Sequence, residues 1–293
     1  MDDTQLQSML PEAFIGIDIG GTSTRIALFE SLADTHSKLI ARFPTYQSYE
    51  HQRKVIISTL NTIEAHHIAG IGVSLGGRMA RDGRSLGVAP NLPDYVGKPF
   101  AADLEREYAC PIRLAHDPVC GLLAEVRFGT LRDAERAAYL TLSTGTGAAV
   151  YLHKGSTSLA LSIEVGHQIL DGNERLCLCG QTGCLETYTG GRQLELRLGG
   201  PLSSLATPDV WESLCRKLAL GLVNLTQLTR VEVIAVSGAI ALNNPAFLAR
   251  VQLEINTLLC GSELELRWAQ LEENAPLIGA VQLLSLPDEN ILH

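Results

Sequence analysis

Three cysteines and one histidine within residues 164–186 have the types and the spacing of a zinc site. The segment reads EVGHQILDGNERLCLCGQTGCLE, in which Cys177, Cys179 and Cys184 follow His167. Three sulfur ligands and one imidazole suit a closed tetrahedral site, which leaves no position for a catalytic water. A glutamate stands at each end of the segment, so a loop fixed by a metal could present polar groups to a ligand.

Two segments repeat one pattern, in which an apolar strand, a turn of glycine and threonine, and a second apolar strand follow one another. Residues 14–29 read FIGIDIGGTSTRIALF and residues 138–152 read AYLTLSTGTGAAVYL. Glycine lets a ligand approach the backbone closely, and the N–H and hydroxyl groups of such a turn can face an anion. Either turn alone is equally consistent with a plain hairpin. The pair predicts two similar halves that hold a polyphosphate chain between them.

Asp117 follows a short strand predicted at residues 111–115 and precedes Pro118. Aspartate is favoured as a helix cap and proline as the first helical residue, so the plain interpretation of Asp117 is a cap. Open α/β sheets bind their ligands where strands end, and there the same carboxylate could act as a general base. One carboxylate can serve both purposes.

The helices and strands predicted around these residues indicate an α/β protein. Apolar periodicity predicts helices over residues 54–66 and 208–230, and a β-branched run predicts a strand over 233–236. Gly238 follows that strand, where glycine lets a flat group such as adenine lie against the backbone, although an ordinary strand-to-helix turn looks the same. Residues 75–100 are rich in glycine and proline and predict an irregular segment, which either binds a ligand or is a surface excursion.

Composition and charge exclude several classes of protein. The chain has 293 residues, of which 46% are hydrophobic, and a net charge of −9 without a run of basic residues. This balance argues against a nucleic-acid surface and favours a small-molecule partner. No apolar run could span a bilayer, and the N-terminus lacks the features of a secretion signal. We expect a cytoplasmic protein with no membrane partner. The dozen or so residues before the first strand are too few for a repressor-type helix-turn-helix.

Taken in order, the motifs GIDIGGT, HD at a strand end, LSTGTGAAV, EVGH, CLCGQTGCLE and SGAIA resemble the ROK family of sugar kinases and sugar-responsive repressors. The resemblance implies a two-lobed actin-like ATPase (ribonuclease H-like) fold with a structural zinc loop, in a homodimer. Residues 1–115 plus about 277–293 would form the small lobe, and residues 116–276 the large one. The implied reaction is ATP-dependent phosphorylation of a hexose or N-acylhexosamine at the 6-hydroxyl, with a catalytic Mg²⁺ and a structural Zn²⁺.

The same resemblance assigns roles to residues at matching positions. Asp117 matches the catalytic base, and Asp18 a residue near Mg²⁺. Contacts with phosphates and adenosine are implied for Gly20, Gly21, Thr22, Thr144, Gly145, Thr146, Gly147 and Gly238. Contacts with the sugar are implied for Gly77, Arg78, Asn91, His116, Glu164, His167 and Glu186. Zinc ligands are implied at His167, Cys177, Cys179 and Cys184.

His116 departs from the family pattern, because an asparagine that contacts a sugar hydroxyl usually precedes the catalytic aspartate. Histidine can still form one such hydrogen bond, but it is bulkier and it titrates. The sugar therefore stays open among glucose, fructose, mannose and the N-acetylated hexosamines. Two other functions also stay open, a sugar-binding regulator without catalysis and a polyphosphate-dependent sugar kinase.

Overall fold

The chain forms two compact units, Met1–Ala124 together with Asn274–His293, and Glu125–Glu273. Relative to the predicted small lobe, the first unit also contains residues 116–124 and 274–276. The structure, a computed structural model, describes residues 11–63, 67–205, 207–261 and 263–293. The first ten residues of the predicted small lobe lie outside this range.

Groups of strands are separated by helices along the described residues. The strands are β1 (Glu12–Ile19), β2 (Ser23–Phe29), β3 (Lys38–Pro44), β4 (His67–Leu75), β5 (Arg78–Met79), β6 (Leu86–Val88), β7 (Ile112–His116), β8 (Arg136–Leu142), β9 (Thr146–Lys154), β10 (Thr157–Ile163), β11 (Val233–Ser237), β12 (Glu265–Trp268) and β13 (Ile291–Leu292). The α-helices are α1 (Tyr49–Leu60), α2 (Phe100–Tyr108), α3 (Asp117–Phe128), α4 (Glu186–Thr189), α5 (Gly191–Leu198), α6 (Leu202–Leu205), α7 (Pro208–Thr229), α8 (Ala239–Leu242), α9 (Phe247–Leu258) and α10 (Ala275–Gln282).

The sheet of the first unit has the strand order β3-β2-β1-β4-β7. β1, β2 and β3 form an antiparallel meander. β4 pairs in parallel with β1, and β7 pairs in parallel with β4. The carboxyl ends of β1, β4 and β7 therefore lie at one edge of the sheet.

Five strands of the second unit repeat this topology in the order β10-β9-β8-β11-β12. β8, β9 and β10 form the antiparallel meander, and β11 and β12 are parallel to β8. The two predicted hairpins, β1–β2 and β8–β9, are confirmed. Each begins the meander of its own unit, which accounts for the repeated sequence pattern.

Each unit has its own hydrophobic core. Ile15, Ile17 and Ile71 are fully buried in the first, and Leu140 and Val150 are fully buried in the second. The removal of such apolar side chains from water is the main term that stabilises each sheet against its helices.

Helix α7 confirms the helix predicted over residues 208–230. It buries Leu214, Leu218, Leu222 and Leu225, which recur at the spacing of one helical face. In the described part of the chain, no helix combines the length and the apolar character that crossing a bilayer requires.

Helix α1 begins five residues before the helix predicted over residues 54–66. Ser48 caps its N-terminus by accepting a hydrogen bond from the backbone N–H of His51. The first turn buries Tyr49 together with the polar Gln52, and this polar residue interrupts the hydrophobic period ahead of Ile56. Residues 64–66 of the predicted helix lie outside the described residues. The predicted irregular segment at residues 75–100 contains the short antiparallel pair β5–β6.

Candidate functional site

Three strand ends of the first unit lie at one level. In the register of the sheet, Ile19 on β1 pairs with Leu75 on β4, and Leu75 pairs with His116 on β7. The residues that directly follow these strand ends are Gly20, Gly76 and Asp117. The first Gly/Thr turn (residues 20–24) and the carboxylate of Asp117 are therefore placed at the sheet edge where open α/β sheets bind ligands.

Asp117 is the first residue of α3, and its side chain is 39% exposed. The ring of His116 lies against it, with Nε2 3.1 Å from Asp117 Oδ1, and is itself only 12% exposed. The residue that departs from the family pattern thus contacts the predicted base directly. When the imidazole is protonated, it forms a salt bridge with that carboxylate.

Asp18, the residue placed near Mg²⁺ by the resemblance, is paired with Arg25. The two are opposite one another across the β1–β2 hairpin. Arg25 donates from Nη2 and Nε to Asp18 Oδ2 at 2.8 and 3.2 Å. Arg25 was not among the predicted site residues, although the short turn between β1 and β2 fixes this pairing. The carboxylate therefore already has a cationic partner.

The first Gly/Thr turn is held by polar groups from other segments. Thr45 donates its hydroxyl hydrogen to Gly20 O at 2.8 Å, and its Oγ1 lies 2.9 Å from Thr24 Oγ1. A Cβ atom built on Gly21 would lie 3.2 Å from the Cβ of Asn91. The predicted sugar-pocket residue Asn91 is thus adjacent to the turn, whereas Thr45 carries no sequence signal that identifies it.

Gly77 and Arg78 lead from β4 into the β5–β6 pair. The residue before them, Gly76, donates its N–H to Ile19 O at 3.0 Å, next to the first turn. The side chain of Arg78 is exposed. The structure therefore places the start of this segment beside the turn and the Arg78 side chain at the surface.

The predicted zinc ligands come together in the second unit. One ligand atom from each of His167, Cys177, Cys179 and Cys184 lies within 4.8 Å of all the others. Cys179 Sγ and Cys184 Sγ are 3.7 Å apart, and Cys177 Sγ is 3.9 Å from His167 Nδ1. Tetrahedral zinc with bonds of about 2.3 Å to sulfur separates two sulfurs by about 3.8 Å. The donor set and its spacing fit that metal.

Two glutamine side chains support the cluster. Gln181 and Gln193 donate from Nε2 to the sulfurs of Cys184 and Cys177, each at 3.1 Å. Burial raises the pKa of the Cys184 thiol to about 12. A metal would therefore have to displace a proton that this thiol retains at neutral pH.

The cluster is continuous with the predicted sugar ligands. His167 directs Nδ1 towards Cys177, and its Nε2 is 3.9 Å from Glu164 Oε2. A Cβ atom built on Gly166 would lie 3.3 Å from Glu186 Oε2. Glu164, His167 and Glu186 are therefore neighbours within the second unit, as expected if they contact one ligand.

Glu186 also touches the second Gly/Thr turn (residues 143–147). Its Oε2 accepts the backbone N–H of Thr146 at 2.7 Å, and a Cβ atom built on Gly145 would lie 2.9 Å from the same oxygen. The predicted sugar ligand and the predicted phosphate-binding turn are thus in direct contact, although they are 40 residues apart in the sequence.

Gly238 lies beside the same turn, at the end of β11. Its φ of +93° is in the region that favours glycine, and a Cβ atom there would lie 2.3 to 2.5 Å from three backbone atoms of Leu142. Leu142 is the last residue of β8, directly before the second turn. Any side chain at position 238 would displace the backbone at the start of that turn.

The sequence model of the ROK family matches residues 14–286. This chain belongs to the ROK family. The predicted family is therefore confirmed, and the site described above is that of a ROK protein.

ROK relatives of this chain include both enzymes and regulators. It is 25% identical to an N-acetylmannosamine kinase from Escherichia fergusonii over 92% of this chain and 97% of that protein. It is 28% identical to the DNA-binding transcriptional repressor Mlc from Escherichia coli over 68% of this chain and 53% of Mlc. The chain spans less than two thirds of the length of several such relatives.

The fold is that of ROK sugar kinases. The structure superposes on a ROK family glucokinase from Streptomyces griseus, solved with glucose and AMPPNP, with a TM-score of 0.74. The superposition covers 92% of this chain and 98% of that chain at 22% identity. The predicted actin-like ATPase fold is confirmed.

Proposed function

We propose that this ROK protein is an ATP-dependent kinase that phosphorylates a hexose or an N-acylhexosamine on its 6-hydroxyl. The observation that carries the proposal is the position of Asp117. Its partly exposed carboxylate directly follows β7. In the register of the sheet, the end of β7 is level with the end of β1, which leads into the first Gly/Thr turn. The near-complete alignment with a kinase of this family gives further support.

In this mechanism Asp117 accepts the proton of the sugar hydroxyl as its oxygen attacks the terminal phosphorus of ATP. Phosphoryl transfer depends mainly on positioning and on neutralising charge. Mg²⁺ bound with ATP would supply part of that neutralisation, near Asp18. The backbone N–H groups of the two Gly/Thr turns would hold the phosphate chain in place.

The second unit would supply the hydrogen-bonding groups for the sugar. A carboxylate accepts several hydrogen bonds, so Glu164 and Glu186 can each receive sugar hydroxyls. Since His167 Nδ1 faces the cysteines, its Nε2 would face the sugar. Zinc, when bound, would fill its four positions with protein ligands and would fix this wall without taking part in the reaction.

His116 favours a second candidate, a sugar-binding regulator without catalysis. Its imidazole lies 3.1 Å from the carboxylate of Asp117. A protonated imidazole there stabilises the ionised carboxylate and makes it a weaker base. In the regulator, the same groups would bind the sugar and no phosphate would be transferred.

The deciding experiment measures ADP release with Mg-ATP and a panel of hexoses and N-acetylhexosamines. We expect turnover with at least one sugar, phosphorylated at the 6-hydroxyl. Asp117→Asn should lower kcat by at least about 100-fold and leave sugar binding in calorimetry unchanged. Asp209→Asn is the matched control, because Asp209 is also a first-turn helix residue but is exposed on α7.

Activity of Asp117→Asn within about tenfold of the wild type would contradict the general-base role. Sugar binding by the wild type without turnover, with either ATP or polyphosphate, would instead establish the regulator. Turnover with polyphosphate alone would contradict ATP as the phosphoryl donor.

A further inference from the structure

The second Gly/Thr turn is attached to the short segment that follows the Cys/His cluster. Besides the bond from Thr146 N–H to Glu186, two backbone bonds join them. Gly191 N–H donates to Ser143 O at 2.8 Å, and Arg192 N–H donates to Thr144 O at 3.0 Å. The turn is therefore fixed along its length by α4 and the start of α5.

A pair of threonine hydroxyls completes this attachment. Thr146 Oγ1 and Thr189 Oγ1 are 2.7 Å apart, and both residues are buried, Thr189 completely. Thr189 also donates to Leu185 O at 3.3 Å. Its oxygen is then the acceptor for the Thr146 hydroxyl hydrogen. Because the pair is buried, water does not replace the bond when either hydroxyl is removed.

The carboxylate of Glu186 has little room to move. Cβ atoms built on Gly145 and Gly166 would lie 2.9 and 3.3 Å from its Oε2, and one on Gly190 would lie 2.6 Å from its Cγ. Three backbone segments therefore enclose this side chain. Its position, and with it the position of the Thr146 N–H group, is set by packing.

We propose that Glu186 and Thr189 are positioning residues for the phosphoryl donor. Together they accept the N–H and hydroxyl hydrogens of Thr146 and so fix the second turn, whose remaining N–H and hydroxyl groups would contact a polyphosphate chain. Glu186 thus acts on the nucleotide side through Oε2, in addition to any contact with the sugar. This inference rests on the proposed kinase function, whereas the attachment itself can be measured without any ligand.

The test compares Thr189→Val, Thr189→Ser and Thr187→Val. Valine keeps the shape of threonine and removes the hydroxyl, and serine restores it. Thr187 is the matched control, because it is a buried hydroxyl two residues away on α4 that bonds Cys184 O and Asn173 instead of the turn. The measurements are KM for ATP, KM for the sugar, and amide hydrogen exchange of residues 143–147 without ligand.

We expect Thr189→Val to raise KM for ATP about tenfold, because one buried hydrogen bond is lost. KM for the sugar should change less than about twofold. Amide exchange at residues 143–147 should accelerate by a similar factor. Thr189→Ser should restore both values, and Thr187→Val should change neither.

The inference is overturned if Thr189→Val leaves the exchange of residues 143–147 and KM for ATP near wild-type values. It is equally overturned if Thr187→Val raises KM for ATP as much. If the wild type phosphorylates no sugar, the proposed function fails. Faster exchange in Thr189→Val but not in Thr187→Val then still supports the attachment, and unchanged exchange overturns it.

Discussion

Replacement of Gly238 by alanine should destabilise the second unit and disturb the second Gly/Thr turn. Two separate costs arise at this position. With a φ of +93° and a ψ of 152°, the backbone lies in a region that is essentially restricted to glycine, at a cost of about 1–3 kcal/mol for a residue with a Cβ atom. The added methyl group also meets the backbone of Leu142 at 2.3 to 2.5 Å. Such overpacking costs about 1–3 kcal/mol.

The two costs together predict a loss of about 2–6 kcal/mol in the free energy of unfolding. At about 3 °C per kcal/mol, the melting temperature should fall by about 6–18 °C. The matched control is Gly155→Ala, in the turn between β9 and β10. Gly155 has a φ of +63°, but a Cβ atom there would meet nothing within 4 Å. The free energy of unfolding of Gly155→Ala should fall only by the cost of backbone strain, about 1–2 kcal/mol.

Thermal unfolding of the two variants separates these terms. Both variants carry a cost for positive φ, so the greater loss of stability in Gly238→Ala is mainly the cost of contact with Leu142. Because relief of that contact must move the backbone before the second turn, KM for ATP should rise in Gly238→Ala and stay unchanged in Gly155→Ala. Equal losses of stability in the two variants would show that contact with Leu142 costs nothing, and an unchanged KM for ATP in Gly238→Ala would show that position 238 does not affect the second turn.

Two further predictions concern the metal and the sugar. Purified protein should carry about one zinc per chain by plasma mass spectrometry. Cys184→Ser should lower the zinc content. Cys260→Ser, which changes an exposed cysteine outside the cluster, should leave it unchanged. An active, folded protein without metal would contradict the proposed zinc site. His116→Asn should change KM for the sugar more than KM for ATP in steady-state assays, and a shift in KM for ATP alone would show that His116 does not face the sugar.

The parts of the fold that depend on local sequence could be predicted. A hairpin joins neighbouring strands through a short turn, so both Gly/Thr hairpins were recognisable from glycine, threonine and flanking apolar runs. The Cys/His cluster was recognisable for the same reason. His167 and the three cysteines lie within 18 residues of one another, and the spacing of metal ligands is distinctive.

The contacts that hold these turns could not be predicted. Thr45, Thr189 and Arg25 reach the turns or their flanking strands through tertiary packing and strand register, and threonine and arginine are too common in other settings to signal such a role. The predicted start of helix α1 lies five residues too far along the chain for a related reason. Its buried Gln52 donates to Thr24 Oγ1 at 2.8 Å, so a polar residue faces the interior where an amphipathic pattern requires an apolar one.

The repeated topology indicates how each turn acquired its support. In the first unit, the segment directly after the third meander strand, β3, supplies Thr45, whose hydroxyl lies 2.9 Å from that of Thr24. In the second unit, the chain after the third meander strand, β10, supplies Thr189, whose hydroxyl lies 2.7 Å from that of Thr146.

The two supports therefore occupy the same place in the topology, and they differ in what precedes them. Thr45 follows β3 at once, whereas the Cys/His cluster stands between β10 and Thr189. A long loop costs more entropy to order than a short one, and a metal bound by the four residues of the cluster would reduce that cost. Loss of the metal should accordingly loosen the second Gly/Thr turn before the first, because only the second depends on the loop.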